Sequence, residues 1–170
     1  GGPPQASFVT TAEIMPRVRK PAEAHLREYV DLTVALGCEY LVVHCGFHFS
    51  AYLKTVRAAL YETMARCVEY GERRRVPLVI ENMNPLPGDS EFQYLGVTVD
   101  EFQALFHRIR SPYLGLALDV AHSELVPGGT VSFVRASGER IHSAQLSDNR
   151  RRVDEHMTIG AGKIDFARVL

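Results

Sequence analysis

Short apolar runs alternate along the chain with longer segments of helical period. The runs YLVVHCG, LVIEN, LGLALDV and IHSAQLSDN predict four β-strands, and runs that are apolar throughout are typical of strands buried on both faces. The segments between them carry apolar residues every three or four positions, most clearly at Val56, Leu60 and Met64, which indicates amphipathic helices. Strands that alternate with helices predict a parallel sheet covered by helices, an α/β fold.

Helix boundaries are marked by residues that start or stop a helix. Pro21 predicts the first turn of one helix and Gly37 its end, while Pro77 separates a second helix from the strand that follows. The stretch Thr98-Val99-Asp100-Glu101 is a capping-box pattern and predicts the start of a third helix. TVSFVRAS and DFARVL predict short helices, and ASFVT near the start is a candidate fifth strand.

Polar side chains stand where the four predicted strands end. His44, Glu81, Asp119 and Gln145 occupy these positions, and His122 follows Asp119 by three residues. Because the carboxyl ends of parallel strands lie at one edge of the sheet, where such folds place their chemistry, we expect these side chains to converge.

The two acids at this edge require a compensating charge. A buried carboxylate is costly unless it is paired or bound to a metal, and two of them in one cavity repel each other. A divalent cation neutralises both, and imidazole, carboxylate and amide oxygen together suit Mn, Mg, Co or Zn. We therefore predict a metal site that includes Glu81, Asp119 and Gln145, with His44 and His122 facing the same cavity.

Each of these residues alone has a plainer interpretation. Asp119 could cap the turn that follows it, His44 could be a hydrogen-bonded core histidine, and Glu81 with Asn82 could hold a loop. Their joint occurrence favours the metal site, since otherwise each residue needs a separate explanation.

The C-terminal loop holds two further candidates. Asp154 and His156 stand two positions apart, so in an extended segment they point the same way and could bind one cation; a solvated loop is the alternative. Arg150, the first of three consecutive arginines, could meet a phosphate or carboxylate of a substrate, or could belong to a solvated charge run.

Composition narrows the class of protein. The chain has 170 residues, 46% hydrophobic and 23% charged, which fits one globular domain with a core. Its net charge of -1 gives no general attraction to nucleic acid, and no apolar run approaches the roughly 20 residues that span a membrane. GGPPQASFVT lacks the features of a signal peptide, and the three cysteines form no paired motif, so we expect reduced thiols and a cytoplasmic location.

The motifs VVHCG, LVIENMNP, GLALDVAHSEL and HSAQLSDNRRRVDEHMTIGAGKIDF together resemble the xylose-isomerase-like TIM barrels. This superfamily contains sugar isomerases and epimerases, hydroxypyruvate isomerase, 3-dehydroshikimate dehydratase and the endonuclease IV group of abasic-site nucleases. The resemblance runs from about Leu26 to the C-terminus and implies a (β/α)₈ barrel with a divalent metal at its centre.

The resemblance also implies roles for single residues. Glu81 and Asp119 match the metal-binding carboxylates, and Glu81 would also act in catalysis. His122, expected to be catalytic together with Glu81, matches a histidine that contacts substrate or binds a second metal. His44 matches one that is a metal ligand in the nucleases and a pocket residue elsewhere. Asp154 and His156 match the pair that holds an additional zinc in the nucleases. The substrate-binding residues expected are His44, Asn82, His122 and Arg150.

Two departures from the family pattern concern the metal and the length. Gln145 stands where most members have a metal-binding histidine; a Gln oxygen can coordinate a hard cation but is a poor zinc ligand, which weighs against a three-zinc site. A complete barrel takes about 250 residues, so residues 1–170 are expected to be one partial TIM-barrel domain that lacks the early strands and the last strand. Such an open barrel exposes sheet edges, and a homodimer is one way to cover them.

Three functions remain open from the sequence. The first is a metal-dependent isomerase, epimerase or related enolate-forming lyase that acts on a small sugar or hydroxy-keto acid. The second is a zinc-dependent nuclease for abasic DNA, and the third is a degenerate barrel that binds a ligand without catalysis.

Overall fold

A computed structural model describes residue 12 and residues 16–49 and 52–169. The helices are α1 (Pro16–Ala35), α2 (Leu53–Arg74), α3 (Val99–Arg108), α4 (Val120–Ser123), α5 (Gly129–Ser137) and α6 (Phe166–Val169). The strands are β1 (Leu41–Val43), β2 (Phe47–His48), β3 (Leu78–Glu81), β4 (Gln93–Tyr94), β5 (Leu114–Asp119) and β6 (Ile141–Gln145). The candidate strand ASFVT lies outside the described residues.

The main sheet contains the four predicted strands, all parallel, in the order β1-β3-β5-β6. Every residue of β3 and β5 is buried, whereas β1 and β6 are partly exposed. The register places Glu81 beside Ala117 and Asp119 beside Gln145. The polar ends of neighbouring strands are thereby brought to one edge of the sheet, as predicted.

The core lies between this sheet and the helices outside it. Its largest fully buried side chains come from both layers and include Met64, Phe102, Phe133, Leu78 and Ile80. The apolar stripe predicted for α2 is buried at Val56, Leu60 and Met64, and the predicted capping box of α3 is present.

The predicted start of α1 is wrong. The helix begins at Pro16, and Pro21 lies inside it. Pro16 takes the first helical position, where a proline is tolerated because that position needs no backbone N–H. The predicted end is confirmed, since Gly37 has φ 68° and donates its N–H to the carbonyl of Val34.

A small antiparallel pair, β2 with β4, has no counterpart in the sequence prediction. Two-residue strands give no periodic signal. The pair is attached to the ends of β1 and β3, because Leu95 donates to the carbonyl of Gly46 and Met83 to that of Gly96. None of the described helices is both long and apolar enough to span a membrane.

Candidate metal centre

Two buried acids stand at the ends of the two central strands. Glu81 ends β3 and is 9% exposed, and Asp119 ends β5 and is 1% exposed. Together with the buried His122 they offer ligand atoms that all lie within 4.8 Å of one another. The convergence expected from the sequence is therefore present in the structure.

Asn82 fixes the position of Asp119. Its side-chain oxygen accepts the Asp119 N–H at 2.7 Å, and its side-chain nitrogen donates to the Asp119 carbonyl at 3.0 Å. Because Asn82 is fully buried and both ends of its amide are engaged, it orients Asp119. This leaves its expected contact with substrate a prediction.

Asp119 is both a helix cap and a member of the acidic group. Its Oδ1 accepts the backbone N–H of His122 at 2.9 Å and caps α4, as the plainer interpretation predicted. Its Oδ2 lies 3.9 Å from His122 Nδ1, toward Glu81. One oxygen thus builds the turn while the other faces the centre.

The hydrogen bonds of His122 decide which of its nitrogens can bind a cation. Nδ1 lies 2.8 Å from the backbone carbonyl of Asn82, which only accepts, so Nδ1 carries the proton. In the neutral ring Nε2 then carries no proton and presents a lone pair. This nitrogen lies 3.2 Å from Asp154 Oδ2. A lone pair and a carboxylate repel each other, and a cation held between them would remove this repulsion.

His122, Asp154 and His156 form a second group whose ligand atoms lie within 4.8 Å. His156 Nε2 lies 2.9 Å from Asp154 Oδ2, and the rings of His122 and His156 are 5.8 Å apart, edge to face. Asp154 Oδ1 is buried and has no hydrogen-bond partner among the described residues. An unsatisfied buried carboxylate oxygen beside two imidazoles fits a cation site.

His44 and Gln145, on the outer strands, both act on Glu81. His44 Nε2 lies 3.2 Å from Glu81 Oε2. This hydrogen bond lowers the pKa of Glu81 below its usual value; burial opposes the shift, and a hydrogen bond from Gln145 supports it. The same contact with Glu81 raises the pKa of His44, against the effect of burial. The pair therefore holds Glu81 ionised.

Asp119 behaves in the opposite way. Burial raises the pKa of its carboxyl above the usual value, because the N–H of His122 offsets only part of the lost hydration. Without a compensating cation, the charged form of Asp119 is thus held at a cost. A divalent cation beside Asp119 would favour the charged form and offset this cost.

The donor atoms sort into two cation positions. Glu81 and Asp119 supply carboxylate oxygens, which suit Mn, Mg or Co, and the side chain of Gln145 donates a hydrogen bond to Glu81. His122 Nε2, His156 and Asp154 supply two imidazoles and a carboxylate, which suit zinc. Both sets of residues present in the chain fit a divalent cation.

Arg150 is placed in a different contact from the one expected. Its guanidinium and backbone N–H both bind Glu155, at 2.5 Å and 2.8 Å, on the exposed side of the loop. Its neighbour Arg151 pairs with Glu124 at 2.6 Å. These pairs fold the loop, and contact of Arg150 with a substrate stays a prediction.

Two buried residues of this region were not among the predicted site residues. His48 is buried in β2 and its Nδ1 has no partner among the described residues; only its closeness to the first strand could have indicated this. Asp148 is buried and accepts four backbone N–H groups. Its signal was the spacing from Asp148 to the glycines of GAGKI, which is a weak one.

Comparison with known proteins gives the family. A family model described as the xylose isomerase-like TIM barrel matches residues 6–170. The chain belongs to this family. The predicted fold class is therefore confirmed, and the four parallel strands with their helices are part of a TIM barrel.

Relatives within the family are similar over most of this chain but longer than it. An uncharacterized protein of Methanocaldococcus jannaschii is 28% identical over 169 residues, which are 96% of this chain and 56% of that protein. The chain thus spans little more than half the length of this curated relative. The crystal structure of a D-tagatose 3-epimerase-like protein is 28% identical with a TM-score of 0.85, covering 96% of this chain and 61% of that one.

A further structure shows likeness of the fold alone. D-allulose 3-epimerase from Methylomonas sp., in complex with D-allulose, is 21% identical with a TM-score of 0.79, and the match covers 96% of this chain and 55% of that one.

Proposed function

We propose that this chain carries the metal centre of a divalent-metal-dependent isomerase or epimerase that acts on a small sugar or hydroxy-keto acid. The observation that carries the proposal is the convergence of Glu81 and Asp119, both buried, beside the amide of Gln145. Likeness to a D-tagatose 3-epimerase-like protein supports the same class of reaction.

The chemistry divides between the cation and the chain. A divalent cation bound here would polarise a substrate carbonyl and make the neighbouring C–H more acidic. Glu81 would accept that proton and return it to another carbon or face, because its lowered pKa keeps it ionised and ready as a base. An enolate-forming lyase needs the same proton removal and differs in expelling a hydroxyl group.

His122 and His44 would position the substrate. The protonated Nδ1 of His122 is tied to the Asn82 carbonyl, so the ring is held rigidly with Nε2 toward Asp154. His44 is more than half exposed and faces Glu81 from the open side of the sheet. A substrate hydroxyl that approaches Glu81 would meet the His44 ring first.

The second group gives a reason to consider a nuclease. His122, Asp154 and His156 match the pattern of a zinc site, and zinc ions that activate water are what phosphodiester hydrolysis uses. The net charge of -1 opposes this candidate, because DNA binding favours a basic surface. We propose it as the alternative, with a non-catalytic barrel as the third possibility.

Location and assembly are also proposals. We propose a cytoplasmic protein, which fits the exposed thiol of Cys38, and a homodimer that covers the exposed outer strands.

Hydrogen exchange of substrates with solvent tests the proposed reaction. In D₂O with Mn²⁺, the chain should place deuterium on the carbon beside the carbonyl of a ketohexose such as D-allulose or of a hydroxy-keto acid, as read by NMR. Glu81→Gln should abolish exchange, whereas Glu91→Gln, at an exposed loop position, should leave it unchanged.

The outcomes separate the three candidates. Cleavage of abasic-site DNA with Zn²⁺ and no exchange on any of these substrates would favour the nuclease. Metal binding with neither reaction would favour the non-catalytic barrel.

A further inference from the structure

The loop that carries Asp154 and His156 is organised around Asp148. This residue is 1% exposed and follows β6 by three positions. Its Oδ1 accepts the N–H groups of Asn149 at 2.8 Å and Ile164 at 3.1 Å. Its Oδ2 accepts those of Gly160 at 3.0 Å and Gly162 at 2.8 Å. One carboxylate thus joins the two ends of the loop.

The main chain of Asp148 closes the loop a second time. Asp148 and Met157 exchange N–H···O hydrogen bonds of 2.8 Å in both directions. Lys163 donates to the Asn149 carbonyl at 2.8 Å. The residues between Asp148 and Met157 therefore form a closed loop, whose two ends are joined at Asp148.

His156 lies directly beside the point where the loop closes. It has φ 46°, in the left-handed region that few residues other than glycine adopt. Its neighbour Met157 supplies the fixing contacts with Asp148. In this conformation His156 Nε2 reaches Asp154 Oδ2, which also lies within reach of His122.

We propose that Asp148 is a positioning residue of the metal centre, whose carboxylate fixes the loop so that Asp154 and His156 meet His122. The importance of Asp148 for catalysis rests on the proposed function. Its effect on the positions of Asp154 and His156 does not depend on that function. It binds no substrate or metal, and it acts through the loop backbone.

The chemistry of the site requires a carboxylate at this position. Four N–H donors need four lone pairs, which a carboxylate supplies and an amide does not. Burial acts to raise the pKa of Asp148, but the amides of Ile164, Gly162, Asn149 and Gly160 outweigh it and lower the pKa overall. A side chain at Gly162 would collide with the Asp148 carboxylate and with the backbone carbonyl of Asn149, so the glycine leaves the space that these groups fill.

NMR of the ¹⁵N-labelled chain without metal tests the role, followed by titration with Zn²⁺. In Asp148→Asn we expect the amides of Gly160, Gly162 and Ile164 to exchange at least about tenfold faster. We also expect the ring nitrogen signals of His122 and His156 to shift, and Zn²⁺ affinity to fall roughly 10–100-fold, as for loss of an outer-shell partner. Asp165→Asn is the control, because Asp165 is exposed and accepts one N–H, from Arg168 at 3.3 Å.

Gly162→Ala provides a second test in which residue 148 is still an aspartate. It should displace the carboxylate and produce the same ring shifts and zinc loss, and it decides the question if Asp148→Asn does not fold. Faster amide exchange with unchanged histidine signals and unchanged zinc affinity would show a merely structural role and overturn the proposal. Since the NMR readout needs neither turnover nor metal, failure of the proposed function would not alter it.

Discussion

The polar residues at the ends of the central strands are buried, whereas those at the ends of the outer strands are exposed. Glu81 and Asp119 end β3 and β5, whose residues are all buried, and one oxygen of each carboxylate is hydrogen-bonded to a neighbour. His44 and Gln145 follow or end β1 and β6, and both are exposed. Burial disfavours the charged forms of the two central acids in the absence of a cation. The exposed residues of the outer strands lower the pKa of Glu81 through hydrogen bonds.

The largest expected difference concerns packing. Leu116→Ala in β5 removes a fully buried side chain and should lower the free energy of unfolding by about 2–5 kcal/mol. Val42→Ala in β1, where the side chain is 37% exposed, should cost well under half of that. Urea denaturation of the two variants measures both losses, and equal losses would contradict the division between central and outer strands.

Removal of a central charge should affect metal more than fold. Asp119→Asn keeps the helix cap, since Asn caps as well as Asp, but removes the negative ligand. We expect Mn²⁺ affinity to fall about 100-fold or more, because loss of a direct ligand should cost at least as much as loss of a residue that only supports a ligand. Asp100→Asn, an exposed acid in the first turn of α3, should bind as before.

The raised pKa of Asp119 predicts how the stability of the metal-free protein depends on pH. Because its folded pKa is raised, stability without metal falls as pH rises from the unfolded value through the raised one. Asp119→Asn should therefore be as stable as the parent or more stable at pH 7 in chelator. A clear loss of stability there, with metal binding unchanged, would remove Asp119 from the site.

A change on an outer strand should tune the metal preference. Gln145→His places an imidazole beside Glu81 and Asp119 and should raise zinc affinity by about tenfold, the worth of one contact with a charged group. Competition between Zn²⁺ and Mn²⁺, followed by calorimetry, measures the change. Unchanged zinc affinity would mean that residue 145 does not face the cation.

The smallest effect is that of His44 on stability, and it depends on pH. The raised pKa of His44 gives stability that is present below its unfolded value and lost as pH rises through the folded value. The lowered pKa of Glu81 gives stability that is present above its unfolded value and lost as pH falls through the folded one. The pair is therefore strongest between about pH 4.3 and 6.5.

In chelator, His44→Gln should destabilise the protein by about 0.5 kcal/mol within that range, as expected for an exposed pair, and by nothing measurable at pH 9. His25→Gln, at an exposed position of α1, is the control. A loss that does not vary with pH would show that the contact with Glu81 is not an ion pair.

The sequence predicted those parts of the molecule that depend on local pattern. The four parallel strands, the stripe of α2 and the capping box of α3 follow from period and from the capping residues. The start of α1 was wrong, because both Pro16 and Pro21 suit a first turn and the residue pattern alone does not distinguish them.

The sequence predicted which residues form the candidate site, but not the contacts between them. Strand ends in register bring Glu81, Asp119 and Gln145 together, so their convergence follows from the strand pattern. The tautomer of His122 depends on a carbonyl 40 positions away, and the role of Asp148 on amides up to 16 positions away. Contacts of this kind leave no period in the sequence.

The most direct measurement is a double-mutant cycle on Mn²⁺ binding with Glu81→Gln, Asp119→Asn and the pair. If both carboxylates bind one ion, calorimetry should give about one Mn²⁺ per parent chain. Either single substitution should then remove most of the affinity, and the double variant little more. Losses that add in full, or a parent chain that binds no Mn²⁺, would contradict a shared cation between the central strands.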